Sequence, residues 1–373
     1  MNKKQVIRII VFVVLASLIF GFFTILLQIN NGRDVLGTYG FYLEPENSID
    51  AVIVGPSQIY TSYYPAYAYK LHGYTSYTIA TSAMPGSVYI TATKEVNERQ
   101  KPQLYVYDIG GFAYKDLAAE ANVRKYIDNI PMLSKNRLEA IEKLVPEEER
   151  DSYYFPFIKY HSTYNQIITA SKVLKDEIDQ SRRGYSLLKN FTTTGSVGNY
   201  TTKYFKRDQN VDITNQGLDY LKELLDYLKE TKTQNVLFAT FPDDINRTET
   251  KSSLKAHEMI ASYGYDYVNF SDYKDEMNID RKKDFYNANH VNIRGAKKVT
   301  ECVSDFLFET YNLNTTHSEE VTKEWDDCAS YVDKVFDLSE QRLQAYEKSG
   351  DTKEGHQYYM ESEMFSNDGL PKK

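Results

Sequence analysis

Short apolar segments alternate with helical segments along most of this chain, and this order constrains its fold more than any other feature. The apolar runs are bounded by Asp, Gly or Pro, which is typical of strands buried in a parallel sheet. Strands joined in this way through helices are expected to form right-handed crossovers. The predicted strands are Ala51–Val54, Ser76–Ala80, Leu104–Tyr107, Val236–Phe241 and Tyr267–Phe270. The sequence therefore predicts an α/β domain over residues 48–313.

The helical segments between these strands have apolar residues on one face. Leu218, Leu221, Leu225 and Leu228 form such a face. The other predicted helices of the sheet region are Pro65–Leu71, Ser87–Arg99 and the closing helix Gly295–Tyr311. Charged helical stretches and aromatic loops interrupt the pattern at residues 113–213, which we interpret as an insertion or lid over the carboxyl edge of the sheet.

The N-terminal region contains an apolar run without a charged residue, Ile9 through Leu27. As a helix it would be about 28 Å long, which nearly spans the core of a bilayer. We expect a retained transmembrane anchor over residues 9–28, because the run exceeds a usual signal-peptide core and no clear cleavage site follows. A cleaved signal peptide is the alternative.

Basic residues precede this run and set the expected orientation. Lys3, Lys4 and Arg8 favour a cytoplasmic N-terminus, residues 1–8, with the rest of the chain outside the cell membrane. Residues 29–47 contain Gly and Asn and are predicted to form a stalk. Residues 314–373 are predicted to form an acidic helical extension that ends in a disordered tail from Ser349.

Composition excludes some functions and leaves others open. The formal net charge of -8 argues against a general nucleic-acid-binding protein. Cys302 and Cys328 could form one disulfide in an outside compartment or stay unpaired, and two cysteines alone cannot build a metal site. We expect no metal and no cofactor.

One serine and one histidine stand where an α/β enzyme would place its reacting groups. Ser57 follows the first predicted strand in Val54-Gly55-Pro56-Ser57, and His290 precedes the last predicted helix. Functional groups gather at the carboxyl ends of strands in open parallel sheets. A serine hydroxyl needs a base about 3 Å away, and the base needs a third group that orients it. The spacing therefore predicts that Ser57 and His290 form a catalytic pair.

These residues resemble the SGNH/GDSL hydrolases over roughly Ile49 to Leu313. The Gly-x-Ser turn at Ser57 is similar to the first block of that family, and His290 with Asn292 and Gly295 is similar to its last block. Lys159-Tyr160-His161-Ser162 resembles membrane-anchored members, namely alginate O-acetylation proteins and the D-alanyl-lipoteichoic acid transfer protein. The resemblance implies a three-layer, flavodoxin-like sandwich of the SGNH type, with the helical insertion, the N-terminal transmembrane helix and the C-terminal helical extension added to it.

The chain departs from the family at two places. Asn287 stands where the family has the Asp that orients the histidine, so this role falls to Asp284 or to Asn287 itself. The glycine and asparagine that bind the oxyanion in the family have no clean match. The nearest candidates to donate backbone N–H groups are Ser82, Gly86 and Gly110.

The resemblance implies a membrane-anchored serine O-acyltransferase or esterase that acts on a cell-envelope polysaccharide or an acylated carrier. It also implies a multi-span membrane O-acyltransferase as partner. A second hypothesis is a catalytically silent protein of this fold that binds glycans or scaffolds a membrane complex. The departure at Asn287 and the 33 tyrosines favour the second hypothesis.

Overall fold

The computed structural model confirms an α/β fold built on a parallel sheet. It describes residues 2–29, 32–198, 213–242, 251–313, 316–350 and 357–365. The main sheet has five strands in the order β2-β1-β3-β5-β6, all parallel. Its strands are β1 (Ala51–Gly55), β2 (Ser76–Ala80), β3 (Leu104–Asp108), β5 (Val236–Thr240) and β6 (Asp266–Asn269).

Two short antiparallel pairs lie outside this sheet. One joins β4 (Thr193–Thr194) to β9 (Gln357–Tyr358), and the other joins β7 (Phe285–Asn287) to β8 (His290–Val291).

The helices are numbered in chain order. They are α1 (Lys3–Gln28), α2 (Gly32–Leu43), α3 (Ser57–Ser62), α4 (Pro65–His72), α5 (Tyr89–Arg99), α6 (Glu120–Ile127), α7 (Lys135–Leu144), α8 (Asp151–Tyr154), α9 (Phe157–Tyr160), α10 (Ile167–Arg183), α11 (Asn215–Glu230), α12 (Lys251–Ser262), α13 (Ile293–Tyr311), α14 (Glu319–Ser330), α15 (Val332–Ser349) and α16 (Glu361–Phe365).

Apolar cores cover both faces of the main sheet, because successive side chains of a strand point to opposite faces. Ala51 and Ile53 of β1 pack into a core with α3, α4 and α13. Val52 and Val54 of the same strand pack into a second core with α5, α7 and α11. Helices on both faces are what fully buried parallel strands require.

The N-terminal region contains one helix that is long and apolar enough to cross a membrane, and α1 is the one such helix among the described residues. The next segment differs from the prediction. Residues 29–47, expected to be a stalk, contain α2, which packs against β2 and α10. Its glycines are sites of close approach, since a Cβ on Gly37 would lie 1.9 Å from Asn190 Oδ1 and one on Gly40 2.5 Å from the Tyr77 hydroxyl.

The C-terminal region also differs in part from the prediction. Residues 319–349 form α14 and α15, as the expected helical extension requires. Gln357–Phe365, however, lies in the segment predicted to be disordered and instead packs on the domain. Its Glu361 is buried and pairs with Arg183 at the end of α10.

The predicted insertion contains the helices α6 to α10, followed by a non-helical segment that includes β4. Residues 199–212 of the insertion lie outside the described residues. The segment after α10 reaches the carboxyl edge of the sheet, where Thr192 N–H donates to the Tyr60 carbonyl and Gly198 N–H donates to the Phe285 carbonyl. Cys302 and Cys328 are both unpaired thiols.

Candidate active site

Ser57 lies at the carboxyl edge of the sheet, in a sharp turn from strand to helix. β1 ends at Gly55 and α3 begins at Ser57, so Pro56 is the only residue between them. A Cβ on Gly55 would lie 2.7 Å from Ile59 and 2.8 Å from Asp108 Cβ, and the turn therefore needs glycine. Ser57 is partly exposed, although the strand before it is buried.

His290 is positioned by the small hairpin of β7 and β8. Asn287 pairs with His290 across this hairpin, with Ala288 and Asn289 in the turn between them. α13 follows directly, and Asn292 caps it by accepting the backbone N–H groups of Arg294 and Gly295. This connection fixes the hairpin against the start of α13.

The structure places Ser57, His290 and Asn287 in one hydrogen-bonded series. His290 Nε2 lies 2.7 Å from Ser57 Oγ, and His290 Nδ1 lies 2.9 Å from Asn287 Oδ1. The backbone N–H of Asn289 also donates to Asn287 Oδ1, at 2.9 Å. Because a backbone N–H can only donate, the Asn287 atom that faces both groups is the carbonyl oxygen.

This amide orientation assigns the tautomer of the histidine. A carbonyl oxygen can only accept, so Nδ1 of His290 carries the proton and Nε2 is free to accept from the Ser57 hydroxyl. Burial lowers the pKa of His290 from 6.5 to about 4. The ring is therefore neutral at neutral pH, which is the state that a general base requires.

Asp284 does not contact His290. Its buried carboxylate accepts from Lys298 Nζ at 2.7 Å and from the backbone N–H of Asp280 at 2.6 Å. Gly295 lets α13 approach this segment, since a Cβ there would lie 2.4 Å from the Asp284 carbonyl oxygen. Of the two residues expected to orient the histidine, the hairpin brings Asn287 to the ring and leaves Asp284 in a structural ion pair.

An Asp284→Asn variant tests this distinction. We expect the rate at which a fluorophosphonate probe modifies Ser57 to stay within about threefold of wild type, since the variant loses no group that contacts the reacting atoms. Its free energy of unfolding should fall by about 1–3 kcal/mol, because the buried partner of Lys298 loses its charge. The matched Asn287→Ala variant should show the opposite pattern, with a rate reduced by about tenfold or more and a smaller change in stability. A large loss of rate in Asp284→Asn would contradict the assignment.

The candidate oxyanion donors are arranged differently from the expectation. The N–H of Ser82 donates to Asp34 Oδ1 at 2.9 Å, and the N–H of Gly110 donates to Asp108 Oδ1 at 2.7 Å. A Cβ on Gly86 would lie 2.3 Å from the Phe112 ring, so this glycine allows close packing. The N–H groups of Ser82 and Gly110 are thus already engaged, whereas Ser57 N–H lies in the first turn of α3, where helical N–H groups lack intrahelical acceptors.

Tyr60 of α3 and two residues of α2, Arg33 and Asp34, were missed by the sequence analysis. Tyr60 lies one turn along α3, and its hydroxyl is 3.3 Å from Ser82 Oγ. The Arg33 guanidinium lies 3.3 Å above the Tyr60 ring and also contacts Asp34. Burial raises the pKa of Tyr60, against the lowering effects of Arg33 and of hydrogen bonds with Ser82 and Ser57, so Tyr60 stays a hydroxyl. The i, i+3 spacing from Ser57 was the available signal for Tyr60.

No group of three His, Cys, Asp or Glu side chains that could hold a metal ion occurs within the part of the chain that the structure describes. Comparison with known proteins gives no assignment: no protein-family model, no curated protein and no solved structure matches this chain.

Proposed function

We propose that this chain is an extracytoplasmic, membrane-anchored serine O-acyltransferase or esterase that acts on cell-envelope polysaccharide. The observation that carries the proposal is the 2.7 Å contact between Ser57 Oγ and His290 Nε2, with Nδ1 of the ring held by Asn287. A nucleophile, its base and the group that orients the base are the parts that acyl transfer through a serine requires.

In the proposed reaction, Ser57 Oγ attacks an ester or thioester carbonyl while His290 Nε2 takes the hydroxyl proton. His290 returns this proton to the leaving group, and an acyl-enzyme forms. A sugar hydroxyl or water then attacks the acyl group, with His290 again as the base; the bond to Ser57 Oγ breaks, and His290 returns the proton to that oxygen. Asn287 accepts from Nδ1 throughout, but its neutral amide stabilises an imidazolium less than a carboxylate would.

The carbonyl oxygen of the substrate needs donors as it gains charge. Ser57 N–H, at the start of α3, and the Tyr60 hydroxyl, beside Ser57 and Ser82, are the groups that we assign to this task. Both belong to α3, so nucleophile and donors would move as one unit. This set replaces the backbone N–H groups of Ser82 and Gly110.

The fold supports this proposal. The main sheet has the strand order β2-β1-β3-β5-β6, and β4 lies outside it. When only the five strands of this sheet are numbered, the order is 2-1-3-4-5, which is the order of flavodoxin-like folds. In such sheets ligands bind outside the carboxyl ends of the strands where the order reverses, and Ser57 follows β1 at that point. The resemblance to SGNH hydrolases, with a membrane O-acyltransferase as partner, is part of the same proposal.

We place the domain outside the cell membrane. The support for this orientation is the apolar length of α1 together with Lys3, Lys4 and Arg8 within its first two turns. A protein held at this surface would meet envelope polysaccharide and acylated carriers as substrates.

The second candidate, a catalytically silent scaffold of the same fold, is favoured by two observations. The group at Nδ1 of His290 is the amide of Asn287, and burial of the ring disfavours the imidazolium that the reaction needs. A scaffold would keep the Ser57–His290 contact as a structural hydrogen bond.

A fluorophosphonate probe separates the two candidates, because it labels serines that a base activates. We expect labelling of the wild-type full chain and none of Ser57→Ala. Ser62→Ala is the matched control: it lies in the same helix, but its hydroxyl donates to the Gln58 carbonyl, and it should be labelled like wild type. Absence of labelling of the wild type near neutral pH would favour the scaffold.

A further inference from the structure

An exposed apolar surface lies on the insertion, between the end of α8 and the start of α10. Phe155, Ile158, Tyr164, Ile167 and Ile168 form this surface, which we call the apolar ridge; their exposed fractions are 63%, 52%, 71%, 38% and 73%. Large apolar side chains scattered singly are normal on a protein surface, but a group within one short segment indicates an interaction site.

The apolar ridge is fixed beside the outer end of α1. α9, the turn at residues 163–166 and α10 all contact α1. Thr163 Oγ1 donates to the Leu27 carbonyl at 2.8 Å, and the ring centroids of Phe157 and Phe20 are 4.9 Å apart. Leu26 and Ile29 at the end of α1 share a small core with Ala170 and Val173 of α10.

These contacts give the depth of the ridge along α1. Leu27 and Phe20 are separated by about 10 Å along the helix axis. The apolar part of α1, about 28 Å long, nearly matches a bilayer core of about 30 Å, so Leu27 lies near one boundary of that core. In the bilayer that α1 is proposed to span, Phe157 would therefore lie about 10 Å inside that boundary, level with exposed side chains of α1.

We propose that the apolar ridge enters the outer leaflet of the bilayer that α1 spans. This rests on the proposed membrane anchoring. The occupant is lipid, because the ridge continues the exposed apolar surface of α1, where Phe22, Phe23 and Ile25 are 52%, 44% and 56% exposed. Segments that lie in the interface bury their apolar face about 5–10 Å into the leaflet, as the contact with Phe20 requires.

Two residues of the segment, Lys159 and Tyr164, fit this position. Lys159 lies between Ile158 and Tyr160 but reaches back to Glu120, with Nζ 2.7 Å from Oε1. A lysine stem beside lipid with its ammonium group in the polar layer is the common arrangement at a membrane boundary. Tyr164 has the amphipathic ring that is enriched at this level.

The path of α2 shows which edge of the sheet lies nearer to the end of α1 and hence to the bilayer. α2 begins at Gly32, just after the end of α1, and Arg33 donates to the Ala80 carbonyl at the carboxyl end of β2. The other end of α2 lies at the amino edge, where Arg99 donates to the Tyr42 carbonyl. The carboxyl edge with Ser57 is therefore the edge nearer to lipid, which suits an acyl donor presented at the membrane surface.

Tryptophan quenching by lipids brominated on the acyl chains tests the proposal in the full chain in vesicles. Ile158→Trp and Ile168→Trp should each lose most of their added emission, as should Phe12→Trp in the middle of α1. Leu71→Trp is the matched control, since Leu71 is 42% exposed at the end of α4, near the amino edge, and it should lose none. Buried Trp325 stays unquenched and reports folding in every variant.

The outcomes separate this proposal from those on which it rests. Unquenched tryptophans at both ridge positions, with Phe12→Trp quenched, would overturn contact of the ridge with lipid and keep the anchor. Failure of the protein to float with vesicles would overturn both the anchor and the ridge. Fluorophosphonate labelling of Ser57 is measured on the same samples, so a loss of the proposed enzyme activity is scored separately.

Discussion

Replacing His290 with alanine is expected to slow fluorophosphonate modification of Ser57 by about 10²- to 10⁴-fold, the usual contribution of a positioned general base. The reason is geometric: Nε2 is the acceptor 2.7 Å from the Ser57 hydroxyl, and without it the proton has to pass to water. The rate constant of labelling, measured by gel fluorescence over time, gives the effect directly. A rate equal to that of wild type would show that Ser57 is not activated by His290.

The pH dependence of the same reaction supplies a second readout. Burial lowers the pKa of His290 from 6.5 to about 4, so the ring stays an unprotonated base down to that pH. The wild-type rate should therefore fall as the pH decreases through about 4, and the His290→Ala variant should lack this step. A step near 6.5 would show instead that the ring is solvated in the protein.

The Asn287→Asp variant is expected to raise the rate of fluorophosphonate modification of Ser57. Loss of the aspartate in a serine protease costs about 10⁴-fold, largely through the wrong histidine tautomer. Here Asn289 N–H already fixes the tautomer, so the carboxylate adds only charge, and we expect a gain of about 10- to 100-fold. The carboxylate also stabilises the imidazolium, so the low-pH step should move above that of the wild type.

The sequence was sufficient to predict the sheet because its strands have a local signature. β2 runs from Ser76 to Ala80, as the sequence predicted, and α4 ends at His72, where Gly73 with a φ of 79° caps the helix. Ser57 and His290 could be paired because carboxyl ends of parallel strands converge at one edge. These inferences need only periodicity and topology.

The missed features depend on contacts between residues far apart in the chain. Glycines of α2 suggested a stalk, but Gly37 and Gly40 are there because Asn190 and Tyr77 approach the helix. Asn287 could not be preferred to Asp284 from the sequence, because the β7–β8 hairpin that pairs Asn287 with His290 was not predicted.

Replacing Lys189 with methionine is expected to lower the free energy of unfolding by about 3–5 kcal/mol at pH 8, since it leaves buried carboxyl groups without their cation as they ionise. Lys189 Nζ lies 2.7 Å from Glu44 Oε1 and 2.6 Å from Glu324 Oε1, and the side chains of Lys189 and Glu44 are both fully buried. Glu44 follows α2, Lys189 follows α10 and Glu324 lies in α14. The cluster thus joins three parts of the chain that the sheet does not connect.

Charge balance in this cluster sets the pH dependence of the effect. One buried cation cannot balance two carboxylates, and burial raises the pKa of Glu44 from 4.5 to about 8. A carboxyl whose pKa is raised on folding favours the folded state in acid, and this contribution is lost as the pH rises from 4.5 through about 8. Without Lys189 nothing offsets the charge that then develops, so the variant should lose less stability at pH 5 than at pH 8.

Thermal unfolding of the full chain in detergent, followed by Trp325 emission, measures this effect, because Lys189 Nζ lies 4.5 Å from the centre of the Trp325 ring. Lys143→Met is the matched control. It breaks the exposed pair with Glu223 and should cost no more than about 1 kcal/mol. Adding Glu44→Gln and Glu324→Gln to Lys189→Met should restore much of the lost stability to thermal unfolding, since neutral side chains at these two positions need no cation. If the single variant unfolded at the wild-type temperature at pH 8, the cluster would not hold these three segments together.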